Sequence, residues 1–177
     1  MCIRDSEYGG SVHRSVYELG EKATNAYENS RKNLANFIGA DSSEIIFTKS
    51  ATESINLVAD SWGKEHLKKG EFILLTDMEH HSNIIPWQMI SKRTESKISY
   101  LKSKDDGTID LNDYKKALEN NIKIVSITHA SNVFGTINPI KEMIEIAHSK
   151  GVKVLVDACQ SAPVSYTHLR AHETLLD

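Results

Sequence analysis

Four polar clusters in this chain carry residue types that do chemistry. Asp157 ends the apolar run Val152, Val154, Leu155 and Val156. An aspartate at the carboxyl end of a strand is costly to bury without a cationic partner. Ser50-Ala51-Thr52 stands between a short apolar run and the periodic residues Ile55, Leu57, Val58, Ala59 and Trp62. That is the start of a helix, where unpaired N–H groups and the positive end of the dipole favour an anion. Small residues there admit a phosphate, and the Thr52 hydroxyl adds a donor. His80 and His81 follow a third apolar run. An imidazole can lie flat on an aromatic ring. A zinc site fits them less well, since no His-Glu-x-x-His pattern or third ligand accompanies them. Asn132, after a further strand, and Gln160, just past Asp157, supply amides. Taken singly, each cluster has a plain structural explanation. Asp157 could cap a turn, Ser50 could cap a helix with Glu53 in its first turn, and the histidines could be exposed loop residues.

The elements that must position these groups follow from periodicity. Ser11 to Phe37 reads as mostly helical, closed by Gly39, with His13 and Arg14 near its start. Cations there oppose the helix dipole, so local helix stability does not account for them. Glu44–Thr48, Glu71–Thr76, Ile98–Leu101, Ile122–His129 and the Val152–Asp157 run read as strands, the last buried on both faces in mid-sheet. Helices are expected after Ser50, from Pro86 through Ile90, from Leu111 to Leu118, and from Ile140 to His148. Strand and helix alternate without consecutive hairpins. The fold class expected is therefore α/β: a mainly parallel sheet flanked by helices in a three-layer α/β/α arrangement. All four polar clusters then fall on one rim of the sheet, where open α/β sheets bind ligands.

Residues 7–163 form the expected domain. Residues 1–6 and 164–177 lack strand period and turn logic and resemble adaptor read-through, so they are expected to be non-native ends of a truncated piece. A net charge of −3 without a basic run speaks against a nucleic-acid partner. No apolar stretch is long enough to span a membrane. Two distant cysteines make no disulfide framework, which points to a cytoplasmic setting. No glycine-rich Walker or Rossmann fingerprint is present, which speaks against ATP and NAD.

A phosphate seat, a stacking imidazole, amides and a carboxylate match the parts of pyridoxal 5'-phosphate. A carboxylate beside its pyridine nitrogen keeps that nitrogen protonated. The runs Met78–Gln88, Thr128–Pro139 and Val154–Pro163 closely resemble cysteine desulfurases of the SufS type, class V aminotransferase-fold enzymes. The resemblance covers roughly Tyr8 to Pro163 and implies a partial large domain of the pyridoxal-phosphate-dependent transferase fold. It implies that Ala51, through its backbone, and Thr52 hold the cofactor phosphate. His80 stacks on the ring, Asp157 pairs with the pyridine nitrogen, and Gln160 bonds the ring hydroxyl. Asn132 lies by the substrate carboxylate, with His13 and Arg14 near the entrance.

The resemblance also implies L-cysteine as substrate, a sulfur-acceptor protein, a role in iron–sulfur cluster assembly, and a homodimeric parent. This chain departs from the family at Ser50-Ala51-Thr52, where Gly-Thr-Thr is usual, at Ser15 and Tyr17, and at Ala158-Cys159. No lysine follows Asp157, and Cys159 is not at the position of the family's sulfur-accepting cysteine. The chain by itself is therefore expected to be inactive. The same residues also admit a selenocysteine lyase, an epimerase-like class V enzyme, a non-catalytic half-domain, and a metal-dependent hydrolase using His80 and His81.

Overall fold

A computed structural model of the chain describes residues 9–14 and 16–163. The chain divides into two compact units, with the break between Phe47 and Thr48. The expected non-native ends lie outside the described residues.

The first unit is built on helix α1, Glu18–Ile38. Glu18 and Glu21 sit in its first turn, where carboxylates complement the dipole. Gly39 ends it in the left-handed conformation, φ 78°, which glycine adopts without strain. The expected strand Glu44–Thr48 does not form. Ser42–Glu44 is a 3-10 turn instead, capped by the Asp41 carboxylate accepting from Ser43 N–H at 2.8 Å. Glu44 answers by accepting the Asp41 N–H at 2.6 Å. Downstream, no strand among the described residues pairs with this segment, and Ile46 stays exposed. Arg31 holds it in place of a sheet neighbour. Its guanidinium lies 5.2 Å from the Tyr27 ring and 5.1 Å from the Phe47 ring, and it donates to the Ile45 carbonyl.

The second unit carries the sheet. Helix α2, Ala51–Val58, runs on through a π-helical turn at Ala59–Gly63 and a last turn at Lys64–His66. Then follow β1 (Phe72–Thr76), α3 (Ile85–Thr94), β2 (Lys97–Leu101), α4 (Leu111–Ala117), β3 (Ile122–Thr128), α5 (Ile140–Ser149) and β4 (Lys153–Asp157). All four strands are parallel, in the order β2-β1-β3-β4. The expected parallel α/β layering is what this unit shows.

Alternation along β1 and β3 sends residues to opposite faces. Leu74, Val125 and Ile127 join Tyr114 of α4 and Ile140, Met143 and Ala147 of α5 in one apolar cluster. Ile73, Leu75 and Ile124 face the other way and are equally buried, as are Trp87 and Ile90 of α3 and Ile55 of α2. Lys123 interrupts the apolar run of β3 without entering the core. The β1–β3 register skips it, so it bulges outward and stays exposed.

The strand ending at Asp157 was expected in mid-sheet, buried on both faces. Among the described residues β4 is an edge strand, and only Leu155 of its five residues is buried. Valines and leucine alone do not distinguish a central strand from one with a single neighbour. The central pair is β1 and β3, and the strand order reverses direction between them. Ligands of open α/β sheets gather at the carboxyl ends beside such a reversal.

Candidate functional site

The carboxyl rim of the sheet begins with β4 beside β3. Thr128 and Asp157 are register partners, and His129 N–H donates to the Asp157 carbonyl at 2.8 Å. The Asp157 side chain turns back over the following residues and accepts the Cys159 N–H at 3.0 Å. This is the turn-capping role open to any aspartate, and it leaves the second carboxylate oxygen for another donor. The side chain is half-buried rather than buried. The capping bond therefore fixes its orientation while access remains.

Opposite Asp157 stands the start of α2. Ser50 is its N-cap, accepting Glu53 N–H at 3.2 Å, while Glu53 accepts Lys49 N–H at 2.6 Å. These bonds account for the Glu53 amide and leave those of Ala51 and Thr52 at the dipole's positive end. Ala51, Ser54 and Ile55 of α2, Asp157 at the end of β4, and Ala158 and Cys159 after it line one cleft of about 230 Å³. That is below the range of roughly 300–1,000 Å³ for pockets enclosing a drug-sized ligand. The cleft thus joins a helix N-terminus and a carboxylate, an anion seat and a cation partner, in one space.

His80 sits on the loop after β1. It is exposed, and it caps the short 3-10 turn His81–Asn83. Its Nδ1 accepts Ser82 N–H at 3.2 Å and lies 2.8 Å from Ser82 Oγ. Accepting at Nδ1 places the ring proton on Nε2 and fixes the tautomer. Asn132 is exposed at the tip of the loop 131–136. Ser131 Oγ accepts Val133 N–H at 3.3 Å and Phe134 N–H at 3.2 Å, and Ser131 N–H donates to the Thr136 carbonyl at 2.9 Å. Gln160 is exposed in the turn after β4, and Thr52 is exposed on α2. Neither these two nor Asn132 lines the cleft, whereas Ala51 and Asp157 do. His13 and Arg14 belong to the first unit. There, His13 Nε2 lies 3.0 Å from Glu28 Oε1 and its ring packs edge-on against Tyr27.

One buried network was not legible as such in the sequence. Glu79, next to His80, is buried at the ends of β1 and β3. Its Oε1 accepts the Thr76 hydroxyl at 2.6 Å and Thr128 N–H at 3.0 Å. Its Oε2 accepts Asn83 Nδ2 at 2.7 Å. Asn83 Oδ1 in turn accepts Trp87 Nε1–H at 3.1 Å and the Ser126 hydroxyl at 2.6 Å. Burial pushes the Glu79 carboxyl above its ordinary value; these hydrogen bonds work against that shift, and the negative charge of Asp157 adds to it. The signal in the sequence was Ser126, a polar residue in the apolar run Ile124–Ile127. His129 is also buried, and burial lowers its imidazole below the ordinary value.

The aminotransferase class-V family profile matches residues 5–172, and the chain belongs to that family. The family depends on pyridoxal phosphate. A relative from Halalkalibacterium halodurans named "Probable cysteine desulfurase" is 52% identical over 157 residues, 88% of this chain and 39% of its own length. A cysteine desulfurase from Haloferax volcanii is 40% identical over 158 residues, 88% of this chain and 37% of its own. Among solved structures, the apo cysteine desulfurase of Thermococcus onnurineus superposes with a TM-score of 0.86 at 40% identity. It covers 93% of this chain, which covers 42% of that one. The chain thus spans about two fifths of the length of these relatives.

Proposed function

We propose that this chain is the cofactor-holding part of a pyridoxal-phosphate-dependent cysteine desulfurase. The observation that carries the proposal is the single cleft between Ala51 at a helix start and Asp157 at a strand end. Ala51 and Thr52 hold the phosphate with backbone N–H groups and a hydroxyl. Asp157 holds the ring nitrogen in its protonated form. His80 lies against the ring, with its Nδ1 edge held by Ser82. Gln160 bonds the ring hydroxyl and Asn132 orients the substrate carboxylate, and the family resemblance gives His13 and Arg14 a substrate-binding role. When bound, the cofactor serves as an electron sink for bonds breaking at the substrate.

In the whole enzyme L-cysteine loses its sulfur to a protein thiol, giving L-alanine and a protein persulfide. The anchoring lysine and that thiol are expected beyond the stretch that matches. A SufS-like, cytoplasmic homodimer that passes sulfur to an acceptor protein for iron–sulfur assembly is the proposed setting. The gene product carrying the whole family length, given L-cysteine, should release one alanine per sulfur transferred. Asp157→Asn should abolish that release while the fold persists. Alanine release from selenocysteine alone, or an unimpaired Asp157→Asn enzyme, would overturn the proposal.

A further inference from the structure

Glu79 does not line the cleft, yet it is tied to both sides of the sheet's reversal. Its Oε1 takes a hydroxyl from the end of β1 and a backbone N–H from the end of β3. The β1–β3 ladder runs only to the pair Leu75 and Ser126, so the Glu79 carboxylate satisfies the Thr128 N–H in place of a ladder carbonyl. Thr128 is the register partner of Asp157. His80 is the next residue, and Asn83, the other end of the same network, closes the 3-10 turn that His80 caps.

Hydrogen-bond polarity through this network runs in one direction. The indole N–H of Trp87 can only donate, so the Asn83 oxygen must face it. The Asn83 amide nitrogen must then face Glu79, and Glu79 must accept there. The Thr128 N–H also can only donate, so the other Glu79 oxygen must accept as well. Only a side chain with two accepting oxygens completes the set. All members are buried, so a reversed partner would leave an unsatisfied group in the interior.

We propose that Glu79 is a positioning residue that seats His80 and the β3 end beside Asp157 through the acceptor polarity of its carboxylate. The inference rests on the functional reading above for the importance of His80 and Asp157, but its first readout does not need a ligand.

Imidazole nitrogen shifts of His80 in the ligand-free 177-residue chain give that readout. Wild type should show one fixed tautomer with the proton on Nε2. Glu79→Gln should average the two tautomers and weaken binding of pyridoxamine 5'-phosphate about tenfold, as for loss of one hydrogen bond. That probe lacks an aldehyde and needs no lysine. The double variant Glu79→Gln with Asn83→Asp restores every donor–acceptor match. Its introduced amide donates to the introduced carboxylate, which still accepts from Trp87 and Ser126. It should recover both the wild-type tautomer and the affinity. If Glu79→Gln fails to fold, the double variant carries the test, and if both fail, Thr76→Val should loosen His80 in the same direction. An unchanged His80 in Glu79→Gln, or a folded double variant that stays averaged, would overturn the proposal. If the tautomer responds as stated while wild type binds no pyridoxamine 5'-phosphate, the ligand reading fails and the positioning role of Glu79 stands.

Discussion

Asp157 and Glu79 are two carboxylates on one rim with opposite fortunes. Asp157 is half-exposed and free to meet a cation; Glu79 is buried and fully engaged by donors. The raised folded-state affinity of Glu79 for a proton has a definite sign in stability. Its folded value lies above the unfolded one, so its ionisation disfavours the folded state. Relative to Glu79→Gln, wild type should lose stability as pH rises from the ordinary carboxylate value of 4.5 through the raised one. Melting temperature against pH for both proteins measures this, and parallel profiles would contradict it. Asp157 stood out in the sequence as a charge ending an apolar run, and the turn-capping bond open to it from sequence is the one it makes. Glu79 did not stand out, because its meaning depends on Thr76, Asn83, Ser126 and Thr128, which meet only in space.

The helix of the first unit and the four strands that form were visible as periodic apolar runs, since burial imposes the period. The segment Glu44–Thr48 misled for a physical reason: strand-like residues do not make a strand without a neighbour to pair with. Arg31 and the turn at Asp41 decide its course instead, and neither is a property of the segment. Two element-level tests follow from side chains that tie elements together. Tyr114 donates its buried hydroxyl from α4 to the Met143 carbonyl of α5 at 3.1 Å. Tyr114→Phe should cost about 1 kcal/mol in chemical denaturation, the usual worth of one buried neutral hydrogen bond. Ser131→Ala removes two acceptor contacts that shape the Asn132 loop. A loss of about 1 kcal/mol is expected, with faster hydrogen exchange at Val133 and Phe134. Unchanged exchange there would show that the loop holds without its serine.

At the scale of the whole chain, β2 and β4 are edges of the described sheet. Unpaired edges invite association, and the lysines at their starts, Lys97 and Lys153, only partly discourage it. The 177-residue chain should associate at tens-of-micromolar concentration in sedimentation velocity; a monomer that melts cooperatively would contradict this. The described helices include none long and apolar enough to cross a membrane. The most direct test of the cleft is equilibrium titration of pyridoxamine 5'-phosphate onto this chain and its Asp157→Asn variant. One saturable site is expected, weakened roughly 10- to 100-fold by the substitution, as for loss of one charge-assisted hydrogen bond. Binding that does not saturate, or that ignores Asp157→Asn, would mean that the cleft between Ala51 and Asp157 is not the cofactor's seat.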